Sequence, residues 1–394
     1  MIPKKPVPDV IEDGNRVSDK CANKNVRNGM DVQSKPFRVI ETGPHGGRES
    51  TALDQALIDA RREGAIPDTI RFIRFTPSAL IGIHQYLSHE IKRDYCRAHD
   101  IEVGRRITGG GSLYLDQGQI GWELVFTRAT FGPLDLAQVT RRVCEAFALG
   151  LNKLGVPARY RPRNDIEVEG RKISGTGGFF DGDLIFYQGT LLIDFDPSKI
   201  AACLNVPAEK LAKRDLDSAA KRVITMREVL GGGLPDLQTI YDGLLGGFAE
   251  GLGIAPHWGA ITPYEQELAA RHYRDEIGTD AYVEMLDAAA DDDMTVSASL
   301  TGRGGSVRAD IRLEGPRRQL IREVLITGDF FVTPPRVIFD LEAALRGLEA
   351  SAVAKAVDDF FACTGADFLS LGPGDIRHVI EMALSGRAAR AAAG

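Results

Sequence analysis

The sequence predicts an α+β fold built on a mixed or antiparallel sheet, with a second, small α+β domain after it. Three observations carry that reading. Short strands with two-residue alternation are interleaved with amphipathic helices, yet they fall in hairpin-like pairs rather than in a βαβαβ repeat. Alternation resumes after a break near residues 256–263. The composition, 43% apolar and 26% charged over 394 residues, is that of a globular chain with two or three packed units.

Residues 1–49 are polar and broken by prolines and glycines, with only short apolar patches such as Phe37-Arg38-Val39-Ile40. They read as a flexible extension. Leu53, Ala56, Leu57 and Ala60 then share one helix face, with Ser50 or Thr51 as its cap. The alternation in Thr69-Ile70-Arg71-Phe72-Ile73-Arg74-Phe75 predicts a strand, and Ala79-Leu80-Ile81-Gly82-Ile83 predicts another. A helix is expected over residues 89–99, and strands on either side of Gly109-Gly110-Gly111. Leu136, Val139, Val143, Phe147 and Leu154 mark a long core-facing helix that stops at Gly155. Strands follow at residues 165–169, 183–187 and 189–195, and helix over 207–230. In the second unit, Val307, Ala309, Ile311 and Leu313 alternate, residues 320–326 form a strand, and 336–348 have helical period. The expected division is 1–49 extension, 50–258 first domain, 259–386 second domain and 387–394 flexible tail.

Composition narrows the function. A net charge of −7 disfavours broad contact with a nucleic-acid backbone, whose affinity depends on phosphate neutralisation. No apolar run approaches the roughly 18–20 residues of a membrane span, so a cytoplasmic protein with no membrane partner is expected. The five cysteines lack Cys-x-x-Cys spacing, which argues against a disulfide framework or a thiolate zinc site. The seven histidines show no metal-ligand spacing and read as surface or packing residues. G-x-G-x-x-G, P-loop, H-E-x-x-H and G-x-S-x-G signatures are absent.

Two segments carry chemistry. In Arg105-Arg106-Ile107-Thr108-Gly109-Gly110-Gly111-Ser112-Leu113-Tyr114-Leu115-Asp116, three glycines in a strand connection cost backbone entropy. They call for a ligand or another backbone lying against the main chain. Bare amides make a concave donor array, and adjacent arginines supply planar forks for phosphate or carboxylate. A flexible hairpin with a solvated arginine pair is the alternative. In Asn164-Asp165-Ile166-Glu167-Val168-Glu169-Gly170-Arg171-Lys172-Ile173-Ser174-Gly175, a strand turns at Gly170 and presents Lys172 at the opening of a second glycine-rich stretch. A lysine there could hold a carboxylate and a phosphate together and stabilise the charge that develops as the bond between them breaks. Asn164 and Asp165 offer hard oxygen ligands of the kind Mg²⁺ takes.

Taken with Gly189-Thr190-Leu191-Leu192 and Arg222-Val223, these segments resemble the lipoate–protein ligase family of the biotin/lipoate ligase superfamily. Upstream, residues 52–57 and Gly82-Ile83-His84-Gln85 are similar to the family's first helix and substrate-side strand. Downstream, Ile326-Thr327-Gly328-Asp329-Phe330-Phe331 with residues 341–347 is similar to its small accessory domain. The resemblance implies a biotin/lipoate ligase-like catalytic domain fused to that accessory domain. It further implies activation of lipoate, or octanoate, by ATP with Mg²⁺ to acyl-AMP, and transfer of the acyl group to a lysine of an apo lipoyl-carrier protein. It assigns Lys172 to catalysis and to both substrates, and Arg106, Gly109, Gly110, Gly111, Ser112, Leu113, Tyr114 and Asp165 to the nucleotide. Asp165 would place the metal, and Gly82, Gln85 and Gly189 would lie along the acyl chain.

Some positions depart from the family pattern. Leu115 stands where many relatives have histidine, and Tyr187-Gln188 where they have two. The Gly-Asp-Phe-Phe segment is similar to accessory domains encoded as separate chains, and such fusions resemble the ligases that load lipoate-binding proteins of sulfur oxidation. The alternatives are an ATP-independent octanoyl or lipoyl transferase, which would work through a cysteine, or a non-catalytic lipoyl-binding sensor. Over residues 153–172, six basic residues face three acidic ones. Arg161 and Arg163 are therefore expected to steer an acidic carrier.

Overall fold

The computed structural model describes residues 34–205, 222–286, 294–302 and 305–393. The expected extension over 1–33, most of the helix expected over 207–230, and the terminal Gly394 lie outside the described residues.

The first surprise is at the start. Lys35–His45 is not part of an extension but strand β1, with Phe37, Val39 and Ile40 essentially inaccessible to solvent. It runs parallel to β2 (Thr69–Phe75) on one side and to an edge strand from the end of the first unit on the other. An interior parallel strand is covered on both faces. The bracketing Pro36 and Pro44 made this one look like a linker. The chain then enters helix α1 (Gly47–Arg62), three residues before the predicted cap.

Around these the main sheet is assembled from β6 (Gln119–Thr127), β7 (Arg159–Arg161), β8 (Asp165–Val168), β9 (Arg171–Asp181), β10 (Leu184–Leu192) and β11 (Ile254–Trp258), in the order β11-β1-β2-β6-β10-β9-β8-β7. The two strands expected over 183–195 are the single strand β10. A smaller sheet of β3 (Ser78–Ile81), β4 (Glu102–Arg105) and β5 (Leu113–Leu115) packs beside it. The helix expected over 89–99 is two short turns, Leu87–Glu90 and Arg93–Ala98.

One face of the main sheet is covered by α2 (Leu136–Lys153) and α3 (Leu237–Leu252). α2 begins with a reciprocal cap between Asp135 and Gln138, which satisfies two of the amides that a helix start leaves open. Trp122 stacks on Phe147 of α2 at 4.6 Å between ring centroids. The other face meets α1, which in turn packs against α4 (Pro263–His272). Arg38 of β1 donates to Glu265 of α4 at 2.9 Å, both buried. The boundary expected at 258/259 therefore cuts through elements that share the first unit's core, which continues through Leu268, Ile277 and Val283.

The C-terminal unit has its own core. It comprises an antiparallel sheet of β12 (Thr295–Gly302), β13 (Gly305–Glu314) and β14 (Leu320–Gly328), a two-stranded pair of β15 (Val332–Thr333) and β16 (Asp367–Phe368), and helices α5 (Val337–Leu345), α6 (Val353–Thr364) and α7 (Pro373–Ala393). Residues 387–393, expected as a flexible tail, continue α7.

Candidate functional site

A cavity of about 360 Å³ opens over the face of the main sheet opposite α2 and α3. Its floor follows from strand register. Glu123 of β6 pairs with Arg71 and with Gln188, and Gln188 pairs with Gly177 of β9, so these four lie in one transverse row. Two residues along, Gly121 pairs with Ile73 and with Thr190. Because alternate residues share a face, the floor is polar in the first row and apolar or small in the second. Phe75, Leu80, Leu113 and Leu115 continue the apolar part into a slot.

Lys172 reaches one side of this cavity from a hairpin with strict local geometry. Glu169 and Gly170 have φ of 52° and 79°, the paired positive values of a two-residue hairpin turn joining β8 to β9. The Lys172 amide donates to the Arg222 carbonyl at 2.7 Å, and the Lys172 carbonyl accepts from Ile224 at 2.9 Å, so its backbone is held on both edges. Its ammonium lies 2.7 Å from Asp165 Oδ1, while Arg161 donates to Asp165 Oδ2 at 2.6 Å. Burial alone would push the Asp165 carboxyl up. Lys172 and then Arg161 outweigh it and hold the group below the usual carboxylate range.

The glycine loop forms the opposite wall, and here the sequence expectation divides. Arg105 is fully buried and donates to the carbonyls of Gly82, Ile83, Gln85, Val283 and Leu286 at 2.8–3.2 Å. It is a brace for the backbone and not a fork for an anion. Arg106 lines the cavity, but its guanidinium donates to the carbonyls of Leu80, Gly109 and Gly111 at 2.9–3.2 Å. Burial lowers its pKa to about 10 despite the opposing charge of Asp54. Arg106 shapes the loop from inside.

Other predicted residues are distributed by strand alternation. Gly109, Gly110, Gly111, Ser112 and Leu113 line the cavity, as do Asp165, Lys172 and Gly189. Tyr114 points the other way, into a cluster with Phe195, and burial with Asp116 nearby pushes its phenol to about 12. Gly82 and Gln85 do not line the cavity. The Gln85 side chain accepts from the Gly82 amide at 2.8 Å, and a Cβ on Gly82 would lie 2.2 Å from the Gly110 carbonyl oxygen. Both support the loop from beneath. Gly189 contributes backbone only, since a Cβ there would fall 2.4 Å from the Trp122 ring, on the far side of the sheet.

The other reason expected for the glycines, another backbone lying against the main chain, is also met, though the sequence did not say which backbone. The Phe330 carbonyl accepts from the Gly110 amide at 3.0 Å. A Cβ on Gly109 would lie 2.2 Å from the Phe330 oxygen, on Gly110 2.5 Å from the Phe331 ring, and on Gly177 2.2 Å from that same ring. Both glycine-rich stretches thus accommodate one dipeptide from the C-terminal unit, and Asp329, Phe331 and Ser370 become part of the cavity wall. Nearby, His84 packs against the rings of Phe330 and Phe339 at 5.1 and 5.2 Å. Its carbonyl accepts from Gly328 at 2.9 Å, and Thr333 exchanges hydrogen bonds with both backbone groups of Phe180. The signal was the Gly-Asp-Phe-Phe segment, whose partner no local pattern names. Gly177→Val is expected to expel the Phe331 ring at an overpacking cost of about 1–3 kcal/mol. Hydrogen exchange at the Gly110 amide should then accelerate, and unchanged protection there would show that the ring is not seated on Gly177.

Asp165 does not present a free carboxylate to a divalent cation, because each of its oxygens already meets a basic group. Among the described residues no group of three or more His, Cys, Asp or Glu side chains is placed to hold a metal. No helix among them is long and apolar enough to cross a membrane. Among the described residues no cysteine lines the cavity either. Cys144 of α2 lies behind the sheet against Thr176 and Tyr187, and burial raises its thiol to about 11.

Comparison with known proteins identifies the family and the fold. Residues 47–249 match the family described as the lipoyl protein ligase A/B catalytic domain. The probable lipoate-protein ligase A of Mycoplasma pneumoniae is 30% identical over 190 residues, covering 48% of this chain and 54% of that protein. The chain thus spans about half the length of that relative. Octanoyltransferase LipM of Kyrpidia tusciae is 26% identical over 268 residues, covering 61% of this chain and 97% of the other. Among solved structures, the bipartite lipoate protein ligase of Thermoplasma acidophilum, described with its E2 lipoyl domain, superimposes with a TM-score of 0.57 at 25% identity, over 65% of this chain and all of that one. A lipoate-protein ligase A bound with ATP does so with a TM-score of 0.55 at 25% identity, over 64% of this chain and all of the other.

Proposed function

We propose, from the premise that this chain belongs to the lipoyl protein ligase A/B family, that it is an ATP-dependent lipoate–protein ligase. On this reading it converts lipoate, or octanoate, to the acyl-adenylate and passes the acyl group to a lysine of a lipoyl-carrier protein. The observation that carries the reading is the placement of Lys172, paired with Asp165, across one cavity from the glycine loop, with an apolar slot beside them.

In the first step a carboxylate oxygen of the acid attacks the α-phosphorus. The new O–P bond forms as the bond to the β-phosphate bridge breaks, and pyrophosphate carries away the electron pair. Lys172 places a positive charge where the two anions must meet and where charge accumulates on the transferring group. Its firmly held backbone keeps that charge in place before substrate arrives. In the second step a carrier amine attacks the acyl carbon, the C–O bond to phosphate breaks, and AMP leaves as the amine loses a proton. The same ammonium stabilises the departing phosphate. The loop amides and Ser112 would contact the nucleotide, and Leu80, Leu113, Leu115, Ile73 and Phe75 would take the acyl chain. Since Asp165 is engaged by Lys172 and Arg161, no step is assigned to a metal held by the protein.

A transferase that bypasses ATP needs a nucleophile to carry the acyl group. Among the described residues no cysteine lines the cavity, and the buried Cys144 thiol is far from the thiolate form at neutral pH. That favours the ligase over the transferase. The carrier-steering role also narrows, because Arg161 is bonded to Asp165 and Glu167 beside the cavity, and reversing its charge would damage the first step too. The test is to incubate the protein with lipoate or octanoate, ATP, Mg²⁺ and a panel of apo-carriers. Pyrophosphate release and carrier mass are then followed. Acid-dependent pyrophosphate with a matching mass gain is expected, whereas carrier loading without ATP would replace this reading with the transferase.

A further inference from the structure

We propose that Arg163 is a substrate-contacting residue of this cavity, which grips the β- and γ-phosphates of the nucleoside triphosphate and so holds the leaving group of the first step. This rests on the adenylating reading above and adds to it a residue for the diphosphate end of the nucleotide.

Three cations line the cavity among the described residues: Arg106, Lys172 and Arg163. Arg106 is enclosed by loop carbonyls, and Lys172 is matched by Asp165. The Arg163 guanidinium has no hydrogen-bond or ion-pair partner among the described residues, although its side chain is exposed at the cavity and free to reach one. Its neighbours behave differently. Arg159 and Arg161 pair with Glu167, and Arg171 pairs with Glu228. Carboxylates of the hairpin and of the neighbouring chain therefore answer its other arginines and leave this one unanswered.

The root of the side chain is fixed while its head is not. The Arg163 carbonyl accepts from the Tyr160 hydroxyl at 2.9 Å. The next residue, Asn164, donates to the Thr176 carbonyl at 2.6 Å and accepts from the Thr176 amide at 2.9 Å. An anchored backbone with an open, planar five-donor fork suits a phosphate group that must be held and then let go. The electrostatics favour such a group. Asp54 and Asp165, which also face this cavity, are already matched by Arg71 and by Lys172 with Arg161, and Arg106 is enclosed by carbonyls, so among the described residues Arg163 is the cavity cation left open to a triphosphate. The exposed position sets the direction too, since the leaving diphosphate would depart from the open side, away from the loop that encloses the rest of the nucleotide.

The experiment compares ATP and AMP binding to the full-length wild type, Arg163→Gln and Arg163→Lys by titration calorimetry. It also follows acyl transfer from separately prepared lipoyl-adenylate to an apo lipoyl domain. Expected is a loss of ATP affinity of about 10- to 100-fold in Arg163→Gln, the range of a lost charge-assisted hydrogen bond, with partial recovery in Arg163→Lys. AMP affinity and transfer from lipoyl-adenylate should stay within about twofold. An unchanged ATP affinity overturns the assignment, and so does an equal loss for ATP and AMP. Slower transfer from lipoyl-adenylate with intact ATP binding also overturns it and returns Arg163 to carrier docking. Selective ATP loss in a protein that releases no acid-dependent pyrophosphate would instead keep the triphosphate contact and refute the ligase reading.

Discussion

Lys172→Ala is expected to cut acid-dependent pyrophosphate release by about 10³-fold or more while leaving the fold in place. Removing a single preorganised donor from a developing negative charge costs about 10²–10³-fold in rate, and here a full positive charge goes with it. Stability should change little. The Lys172 side chain is 35% exposed, and pairs that open to water contribute on the order of 1 kcal/mol or less. Asp165 also keeps Arg161. Lys172→Arg should rescue poorly, because the ammonium sits against a glycine. A Cβ on Gly175 would lie 2.5 Å from Lys172 Nζ, so a wider guanidinium has no room at that point. The readouts are pyrophosphate release and thermal melting. Residual activity within tenfold of wild type would remove Lys172 from the centre of the chemistry. The pair should also survive mild acid. The Asp165 carboxyl is held below its ordinary value of 3.8, so its contribution is present above that pH and fades only as pH falls further, through the lowered value.

What the sequence made legible follows from how local each signal is. The Lys172 hairpin depends first on a turn, Glu169-Gly170, that could be read directly, whereas the clamp on its backbone comes from Arg222 and Ile224, far along the chain. The glycine loop was equally visible, but its two arginines were not separable. Whether a guanidinium meets a ligand or a carbonyl depends on which turn lies beneath it, and for Arg105 that is Gly82 to Gln85, about 20 residues away, together with the chain near Val283. Phe331 could be noticed but not placed, because its seat is built from two glycine stretches in another unit. Strand β1 was lost because its prolines speak for a linker, while its burial is supplied by β2 and β11. The polar row on the cavity floor escaped for the same reason. Arg71 alternates with apolar residues in its strand and Glu123 stands within an apolar one, and neither pattern names a partner. Only pairing of β2 with β6, over a separation of 52 residues, reveals that they answer each other.

That row yields the largest stability effect to be expected. Arg71 is fully buried and donates to Asp54 at 2.7 Å, Glu123 at 2.9 Å, Thr42 at 2.9 Å and Ser50 at 2.9 Å. One guanidinium thus serves two buried carboxyl groups. Burial pushes both acids up, and Arg71 only partly offsets it for each. Asp54 adds to the rise at Glu123, which ends well above its ordinary 4.5. The stronger upward push falls on Glu123, so it is the member of the pair expected to hold a proton more readily, with Asp54 as the closer ion partner of Arg71. Arg71→Ala leaves a buried charge with no partner, a change that costs about 3–5 kcal/mol. In urea titrations the midpoint should fall accordingly, and the Asp54 side of the cavity should loosen with it. Glu123→Gln, which mimics the protonated carboxyl, should cost about 1 kcal/mol or less at pH 7 if the proton sits there. The sign of the pH dependence separates the two. A carboxyl raised by folding lends stability that is complete below 4.5 and is lost as pH climbs through the raised value, so wild type should weaken relative to Glu123→Gln as the solution becomes alkaline. If Glu123→Gln proves as damaging at pH 7 as Arg71→Ala, Glu123 is ionised in the folded protein and the proton lies elsewhere in the cluster.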